Sequence, residues 1–125
     1  MTASFCYLYI LKFKTKLLYN SHVCMYMIYI LHQLCEPHII HGDLKPGNIL
    51  LDSDFNPKIC DFGISKALKP GADEDCTGIV TGSRGFIAPE YIGRGCLSIK
   101  SDVYSFGVTL LQIISRKRAS FLHLH

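Results

Sequence analysis

The segment His41-Gly42-Asp43-Leu44-Lys45-Pro46-Gly47-Asn48 constrains this chain most, together with the tripeptide Asp61-Phe62-Gly63 that begins thirteen residues after Asn48. The segment places an acid, a base and an amide on one short loop, and the tripeptide adds a second acid. A carboxylate can take a proton from a hydroxyl, a lysine can offset phosphate charge, and hard oxygen atoms hold Mg²⁺. The pattern indicates a site that handles a hydroxyl nucleophile, a phosphate and a divalent metal together.

Short extended elements are predicted around this loop. Residues 49–52 and 57–60 are strand candidates, and the Asp-, Ser- and Asn-containing residues 52–56 between them suit a turn, so we expect a small hairpin. Residues 39–40 read as a brief extended entry to the loop. Residues 64–83 are polar and rich in glycine and are predicted to form a long exposed loop, whose length is typical of a functional or disordered segment.

Two helices are expected. Apolar residues from about Ile28 to His32 suit the end of a buried helix, which Pro37 would stop. The apolar run 103–114 predicts a second helix, with Ser101 as a plausible N-cap. Helices beside a short hairpin predict an α+β fold, and 125 residues leave room for one ordinary domain at most.

The net charge and the apolar runs argue against nucleic-acid and membrane partners but exclude few other functions. The net charge of +3 is mild, and its two basic clusters favour solvated surface over a nucleic-acid or membrane partner. These clusters are Lys12, Lys14 and Lys16, and Arg116, Lys117 and Arg118. The longest apolar runs, 3–11 and 25–31, fall short of the roughly 20 residues that a bilayer requires. We therefore expect no transmembrane segment, and the basic residues that precede the apolar core of a signal peptide are missing.

The six cysteines are scattered and form no C-x-x-C pair. Zinc ligation favours tighter spacing, and a disulfide framework favours a secretory context. We therefore expect reduced thiols, with Cys60 as a small buried filler beside the proposed site.

Four motifs occur in a fixed order along the chain. They are His41-x-Asp43-Leu44-Lys45-Pro46-x-Asn48, Asp61-Phe62-Gly63, Ala88-Pro89-Glu90 and Asp102-Val103-Tyr104-Ser105-Phe106-Gly107. This set resembles the motifs of the protein kinase superfamily. The residues in and around the motifs are most similar to those of plant receptor-like serine/threonine kinases. The resemblance covers residues 28–115, a partial kinase domain that is mainly the helical C-terminal lobe with a short β-hairpin. It leaves 1–27 unassigned and 116–125 as a tail.

The resemblance implies a role for each polar residue of the site. Asp43 would be the catalytic base, and Lys45 would be both a catalytic residue and a phosphate contact. Asn48 and Asp61 would hold Mg²⁺, and Leu50 would lie under the adenine ring of ATP. Partners would be a protein substrate or a partner kinase, with no nucleic acid. The site would face the cytoplasm, since full-length relatives are often anchored in the plasma membrane.

Further residues would act as scaffold or as a regulated surface. By resemblance, Asp102 would accept backbone hydrogen bonds from the catalytic loop, and His41 would stack with Phe62. Gly42 replaces the usual Arg before the catalytic Asp, so we expect no switch in which that Arg pairs with a phosphorylated loop. Ser83 keeps the hydroxyl of the usual Thr, and its contact with Asp43 is left open. Thr77 and Thr81 lie on the same loop.

The resemblance does not include the motifs that bind the nucleotide in protein kinases. No Gly-rich loop precedes Ile28, and no V-A-I-K lysine is present, so the N-terminal β lobe is expected to be absent. Whether the chain is an enzyme is therefore left open. The first expectation is a kinase fragment that is inactive alone and binds nucleotide weakly if at all. The alternatives are a non-catalytic interaction or decoy module, or a truncated gene product.

Overall fold

A computed structural model describes residues 20–118 of the chain. Three α-helices, six short strands and two irregular helical turns follow one another in it. In chain order they are α1 (Ser21–Tyr29), a π-turn (Ile30–Leu34), β1 (Ile39–Ile40), a 3₁₀ turn (Pro46–Asn48), β2 (Ile49–Leu51), β3 (Pro57–Ile59), β4 (Lys66–Ala67), β5 (Glu74–Cys76), α2 (Pro89–Arg94), β6 (Cys96–Ser98) and α3 (Ile99–Ser115). The expected α+β class is confirmed.

Several sequence features lie outside the described residues. They include the apolar run 3–11, most of the unassigned segment 1–27 and most of the tail 116–125. The basic cluster formed by Lys12, Lys14 and Lys16 also lies there. Between residues 20 and 118, no helix is long and apolar enough to cross a membrane.

Helix α1 and the π-turn form one continuous helical segment. It begins at Ser21, within the segment that the sequence left unassigned, and ends at Leu34, before a cis Glu36–Pro37 peptide bond. The segment buries Cys24, Ile28 and His32, which are spaced four residues apart and so share one face. This face positions a histidine toward the centre of the molecule.

The predicted hairpin is confirmed. Strands β2 and β3 pair antiparallel, with Ile49 opposite Ile59 and Leu51 opposite Pro57. Oδ1 of Asp52 accepts hydrogen bonds from the backbone N–H groups of Asp54 (2.9 Å) and Asn56 (2.8 Å). This local side-chain bonding closes the turn in the way expected for Asp at such a position.

The sequence predicted one long loop for residues 64–83, but two short strands interrupt this segment in the structure. Strand β4 pairs antiparallel with β1, and strand β5 pairs antiparallel with β6. Each of these strands has only two or three residues, and its partner lies about twenty or more positions away in the chain. A local hydrophobic pattern carries no signal for such pairings, which explains why the expectation was wrong.

The expectation of reduced thiols is also wrong for one pair of cysteines. Cys76 on β5 and Cys96 on β6 face each other in the antiparallel register and form a disulfide. Directly opposed residues of two antiparallel strands lie close enough for such a bridge. Cys24, Cys35 and Cys60 are free, and Cys60 is half-buried.

Helix α3 begins four residues earlier than the predicted 103–114 helix. Its N-cap is Ser98, and Ser101 occupies the third helical position, where its hydroxyl accepts the backbone N–H of Ser98 at 3.1 Å. The two serines form a reciprocal capping box. The prediction of Ser101 as N-cap is therefore wrong, since Ser98 is the N-cap.

Two clusters of apolar side chains form the core. One contains Cys24, Ile28, Leu44, Ile49 and Phe106 and joins α1, the 41–48 loop, the hairpin and α3. The other contains Ile40, Leu68, Ala88, Tyr91 and Leu97 and joins β1 to the segment around α2. The 41–48 loop therefore follows Ile40 of one cluster and precedes Ile49 of the other, to which it also contributes Leu44.

Candidate functional site

The carboxylate of Asp102, near the start of α3, organises the beginning of the 41–48 loop. Oδ2 accepts the backbone N–H of His41 and Oδ1 accepts that of Gly42, both at 2.8 Å. Nε2 of His32 lies 2.8 Å from Oδ2, and Asp102 has no solvent exposure. A buried carboxylate needs such donors to offset the loss of hydration. The expected backbone hydrogen bonds to Asp102 are confirmed.

The imidazole of His41 links the 41–48 loop to the Asp61-Phe62-Gly63 tripeptide. Nδ1 accepts the backbone N–H of Asp43 at 3.2 Å, and Nε2 lies 2.9 Å from the carbonyl oxygen of Cys60. A carbonyl can only accept and a backbone N–H can only donate, so these two contacts suit a ring with its hydrogen on Nε2 and a lone pair on Nδ1. Phe62 packs edge-on against this ring, with 4.8 Å between centroids. The ring contact expected between His41 and Phe62 is confirmed.

The Asp43 side chain is held at one oxygen only. Nδ2 of Asn48 donates to the backbone carbonyl of Asp43 at 2.8 Å and to its Oδ2 at 3.2 Å. Nζ of Lys45 lies 3.5 Å from the same Oδ2. Oδ1 is buried without a hydrogen-bond partner. Buried polar atoms are nearly always satisfied, so Oδ1 of Asp43 still lacks a hydrogen-bond donor in this structure.

Lys45 joins the loop to a distant part of the chain. Its Nζ donates to Oγ of Ser83 at 2.6 Å, across 38 positions of sequence. The sequence left open a contact between Ser83 and Asp43; in the structure Ser83 contacts Lys45, whose Nζ in turn lies beside Asp43. The Lys45 side chain is one-third exposed, so it can still approach an anion from solvent.

A backbone hydrogen bond joins Asn48 to Cys60, the residue before Asp61. The N–H of Cys60 donates to the carbonyl of Asn48 at 2.9 Å, which places the next residue, Asp61, beside the loop. Asp61 has a positive φ of 59° and is exposed, and its Oδ1 accepts the N–H of Gly63 at 3.2 Å. A carboxylate and a side-chain amide oxygen are hard ligands of the type that Mg²⁺ takes. The donor set therefore fits that metal.

Leu50 lies on β2, at the hairpin that follows the 41–48 loop. It is 55% exposed, although its neighbours Ile49 and Leu51 are buried or partly buried. The antiparallel register places it opposite Lys58. Leu50 is therefore an exposed apolar side chain close to the 41–48 loop in the sequence.

The segment that carries Ser83 is anchored at two further points. Oη of Tyr91 accepts the N–H of Thr81 and donates to the carbonyl of Ile79, both at 3.1 Å. Oγ of Ser105 donates to the carbonyl of Phe86 at 2.7 Å. Helix α3 therefore supports both this segment and the 41–48 loop.

The sequence did not identify His32 or Tyr91 as parts of the site. The spacing of His32 from Cys24 and Ile28 could have placed it on the buried face of α1. Tyr91 follows the Ala88-Pro89-Glu90 motif directly, but its hydroxyl contacts depend on a chain reversal that no local pattern shows. His32 acts through Asp102, and Tyr91 acts through the backbone at Ile79 and Thr81.

Gly42 has a left-handed conformation, with φ of 83°. A Cβ atom at this position would lie 3.4 Å from the carbonyl oxygen of Ile64 and 3.4 Å from Cδ2 of Leu97. A positive φ is unfavourable for residues with a side chain. The backbone conformation therefore favours glycine here, whereas a Cβ would meet its neighbours at about van der Waals distance.

Comparison with known proteins gives a family for this arrangement. The protein kinase domain family matches residues 12–123 of the chain. The match extends into the segment that the sequence left unassigned and into the tail.

Individual relatives come from Arabidopsis thaliana. Cysteine-rich receptor-like protein kinase 6 is 53% identical over 95 residues, and cysteine-rich receptor-like protein kinase 21 is 50% identical over 96 residues. G-type lectin S-receptor-like serine/threonine-protein kinase RKS1 is 52% identical over 96 residues. These alignments cover 75–77% of this chain but only 12–14% of each relative. The chain therefore spans a small part of the length of these proteins.

Proposed function

This chain belongs to the protein kinase family, and we propose that it carries the base and metal half of a serine/threonine kinase site. The reaction would transfer the γ-phosphate of ATP to a hydroxyl of a protein substrate, on the cytoplasmic side of the membrane. The oxygen of the hydroxyl would form the new bond to phosphorus, and the bond from phosphorus to the ADP oxygen would break. The similarity to plant receptor-like kinases supports this assignment.

The unpartnered Oδ1 of Asp43 is the observation that carries the proposal. Asn48 and Lys45 hold Oδ2, so the carboxylate has a fixed orientation and one oxygen left for a ligand. A carboxylate at hydrogen-bond distance from a hydroxyl can orient it and take its proton. Asp43 would do this for the substrate serine or threonine.

Lys45, Asn48, Asp61 and Leu50 would complete the site. When bound, Mg²⁺ would supply charge neutralisation at the phosphates. The amide oxygen of Asn48 is the atom that would serve the metal, since Nδ2 is used by Asp43. Asp61 would supply a carboxylate ligand, Lys45 would offset charge on the transferred phosphate, and Leu50 would contact the adenine ring.

We propose that the chain alone binds Mg-ATP weakly and transfers phosphate far more slowly than a whole kinase domain. The Gly-rich loop and the V-A-I-K lysine do not occur among its 125 residues. The loss of one stabilising donor commonly lowers a rate by about 10² or more. The sites for the base and for the metal would nevertheless be present and would be measurable by binding.

The metal assignment can be tested with Mn²⁺ as a paramagnetic substitute for Mg²⁺, with and without ADP. Nuclear magnetic resonance of the ¹⁵N-labelled chain should show broadening of the Asn48 side-chain signals. Asp61→Ala should remove this broadening, whereas Asp73→Ala, a change at an exposed acid outside the site, should preserve it. Equal broadening in the wild type and in Asp61→Ala would rule out the proposed metal site.

A kinase assay tests the catalytic part of the proposal separately. With Mg-ATP and a mixed serine/threonine peptide library, the wild-type chain should incorporate phosphate slowly, and Asp43→Asn should abolish incorporation. If both chains are inactive while the Mn²⁺ effect persists, the chain would be a non-catalytic kinase-like binding module. That result would overturn the catalytic proposal and leave the metal site in place.

A further inference from the structure

We propose that Cys76 and Cys96 form a reversible dithiol/disulfide site that exchanges with small-molecule disulfides of the glutathione type. The site would control the order of the 77–95 segment, which carries Ser83. This inference uses the geometry of the two cysteines and does not depend on phosphate transfer. It adds a covalent site to the chain at a position that the proposed kinase chemistry does not use.

The register of two strands brings the cysteines together. Cys76 on β5 lies opposite Cys96 on β6, and their Cα atoms are 4.0 Å apart although 20 positions separate them in the chain. Cys76 is exposed and Cys96 is partly exposed, so a soluble thiol or disulfide can reach both sulfur atoms. By contrast Cys24 is buried and lies in the apolar core. Access to sulfur is a requirement of thiol–disulfide exchange.

Backbone packing beside the cysteines enforces this register. The N–H of Gly78 donates to the carbonyl of Gly95 at 3.2 Å. A Cβ atom on Gly95 would lie only 2.7 Å from Cα of Gly78, and both glycines have a positive φ. The two chain segments can approach this closely only because neither glycine has a side chain. The close approach continues the β5–β6 pairing past the disulfide.

The ion pair beside this strand pair is exposed. The guanidinium of Arg94 donates to both carboxylate oxygens of Glu74, at 2.8 and 3.1 Å, and both side chains are accessible to solvent. Exposed ion pairs contribute little to stability. The covalent bond between Cys76 and Cys96 would therefore add more to the pairing of the two strands than this ion pair does.

A metal site would use the same groups, but the contacts favour a redox site. Glu74, Cys76 and Cys96 each have a ligand atom within 4.8 Å of the others. Both carboxylate oxygens of Glu74 are occupied by Arg94, and the two sulfur atoms are bonded to each other. A metal would have to displace the arginine and would require reduction of the disulfide. The structure instead shows the oxidised state of a dithiol pair.

The exchange reaction balances without a metal or cofactor. A thiolate of one cysteine attacks the disulfide of oxidised glutathione and releases one glutathione thiolate, which leaves a mixed disulfide on the protein. The second cysteine, as thiolate, attacks the protein sulfur of that mixed disulfide and releases the second glutathione. The protein dithiol loses two electrons and two protons, and one oxidised glutathione becomes two reduced molecules. Excess reduced glutathione reverses both steps.

The bond would act on the site through the segment that it closes. Between the two cysteines lie Thr81, which Tyr91 holds, and Ser83, which contacts Lys45. A cross-link at the base of a segment removes many of its open conformations. The disulfide would therefore favour the arrangement in which Ser83 reaches Lys45, and reduction would loosen it.

Peptide mapping tests the covalent step on the full 125-residue chain. The protein is equilibrated without oxygen in mixtures of reduced and oxidised glutathione, blocked with N-ethylmaleimide and digested with trypsin. Cleavage after Lys66, Arg84, Arg94 and Lys100 yields peptides 67–84 and 95–100, because trypsin does not cut between Lys69 and Pro70. We expect these two peptides to be joined in oxidising mixtures and separate in reducing ones.

Two cysteine variants control this measurement. Cys35→Ser should leave the joined peptides unchanged, and Cys96→Ser should replace them with a glutathione adduct on Cys76. The proposal is overturned if Cys76 pairs equally well with Cys24, Cys35 or Cys60. It is also overturned if both thiols stay reduced in excess oxidised glutathione.

A pair of glycine variants tests the structural origin of the pairing. Gly95→Ala would collide with Gly78, so oxidation should require a mixture at least about fivefold more oxidising. Gly93→Ala is the matched control, since a Cβ there meets nothing within 4 Å. Equal midpoints for the two variants would show that the strand register does not bring the thiols together.

Hydrogen exchange tests the effect on the segment without any measure of kinase activity. Peptides that contain Thr81 should exchange their amides several-fold more slowly in the oxidised than in the reduced chain. Peptides from α3 should exchange equally in both states and serve as the internal control. Unchanged exchange of the Thr81 peptides would refute control of the segment by the disulfide.

Discussion

Nε2 of His32 lies 2.8 Å from Oδ2 of Asp102, and both side chains are almost fully excluded from solvent. The two residues are 70 positions apart, and their contact joins the helical segment at the start of the described chain to α3. The same carboxylate holds the backbone of His41 and Gly42. One buried side chain therefore connects two helices and the loop that bears the proposed base.

Asp102→Asn should destabilise the fold by about 2–4 kcal/mol, because an amide has one acceptor oxygen and would turn its NH₂ toward a buried donor. Urea unfolding followed by circular dichroism measures the change. Asp54→Asn, at an exposed turn position, is the matched control and should change stability by less than about 0.5 kcal/mol. Similar losses in the two variants would contradict the assigned role of Asp102.

Gly42→Ala should cost about 1–2 kcal/mol, because the residue has a positive φ that is unfavourable for a residue with a side chain. Gly42→Arg, which restores the residue usual in the family, should cost at least as much. Gly47→Ala is the control, since its nearest contact is the flexible end of Lys45 at 3.9 Å. Thermal unfolding of the three variants measures these losses of stability. A Gly42→Ala protein as stable as the wild type would contradict the role assigned to the positive φ.

Tyr91→Phe should loosen the segment near Thr81 without disrupting the core, because the ring stays buried and only the hydroxyl contacts are lost. We expect a loss of about 0.5–1.5 kcal/mol and faster amide exchange at Thr81. Tyr26→Phe, at an exposed ring, should do neither. If Thr81 exchanges at the same rate with and without the Tyr91 hydroxyl, that contact does not hold the segment.

Burial raises the pKa of the Cys24 thiol above its ordinary value of 9.0, and a hydrogen bond from its own backbone opposes this in part. The unfolded thiol then ionises at lower pH than the folded one. Above the ordinary pKa the unfolded state therefore holds fewer protons, and the free energy of unfolding falls as pH rises. The contribution of Cys24 is complete below the ordinary pKa and lost as pH passes the folded pKa.

Comparison of wild type with Cys24→Ala measures this effect. The free energy of unfolding should decline less steeply above about pH 9 in the variant than in the wild type. Identical slopes in wild type and Cys24→Ala would contradict the predicted linkage.

The backbone N–H of Asn56 is the largest cause that lowers the pKa of Asp52 below its ordinary value of 3.8. The folded pKa is then the lower one, so the contribution of Asp52 is present above the ordinary pKa and lost as pH falls through the folded pKa. The amide proton signal of Asn56 should shift in this acid range. Asp52→Asn should remove the shift, and a midpoint at or above 3.8 in the wild type would contradict the assignment.

The sequence predicted the parts of the fold that depend on neighbouring residues. The β2–β3 hairpin follows from two apolar runs and the Asp52 turn, all within eleven residues. The Asp102 contacts were also expected, through the resemblance to kinases. Distances from Asp43 to Lys45 and Asn48 agree with the clustering expected of the loop, although their catalytic roles are still predictions.

Features that depend on pairing between residues far apart in the chain could not be predicted from local sequence patterns. The Cys76–Cys96 bridge requires the β5–β6 register, and that register depends on two glycines with positive φ. The sequence around Cys76 and around Cys96 does not indicate that these two cysteines pair. The N-cap was misplaced for a different reason, since Ser98 and Ser101 are both capping residues and only the backbone geometry distinguishes them.

Gly42 adds no charge where the 41–48 loop meets the segment around Leu97. The atoms that a side chain there would meet are a carbonyl oxygen and a methyl carbon, so the two surfaces fit by shape. Dissolved salt weakens the attraction between exposed charges but hardly alters van der Waals packing. At this junction the loop should therefore keep its place at ionic strengths that would weaken a bond between arginine and phosphate.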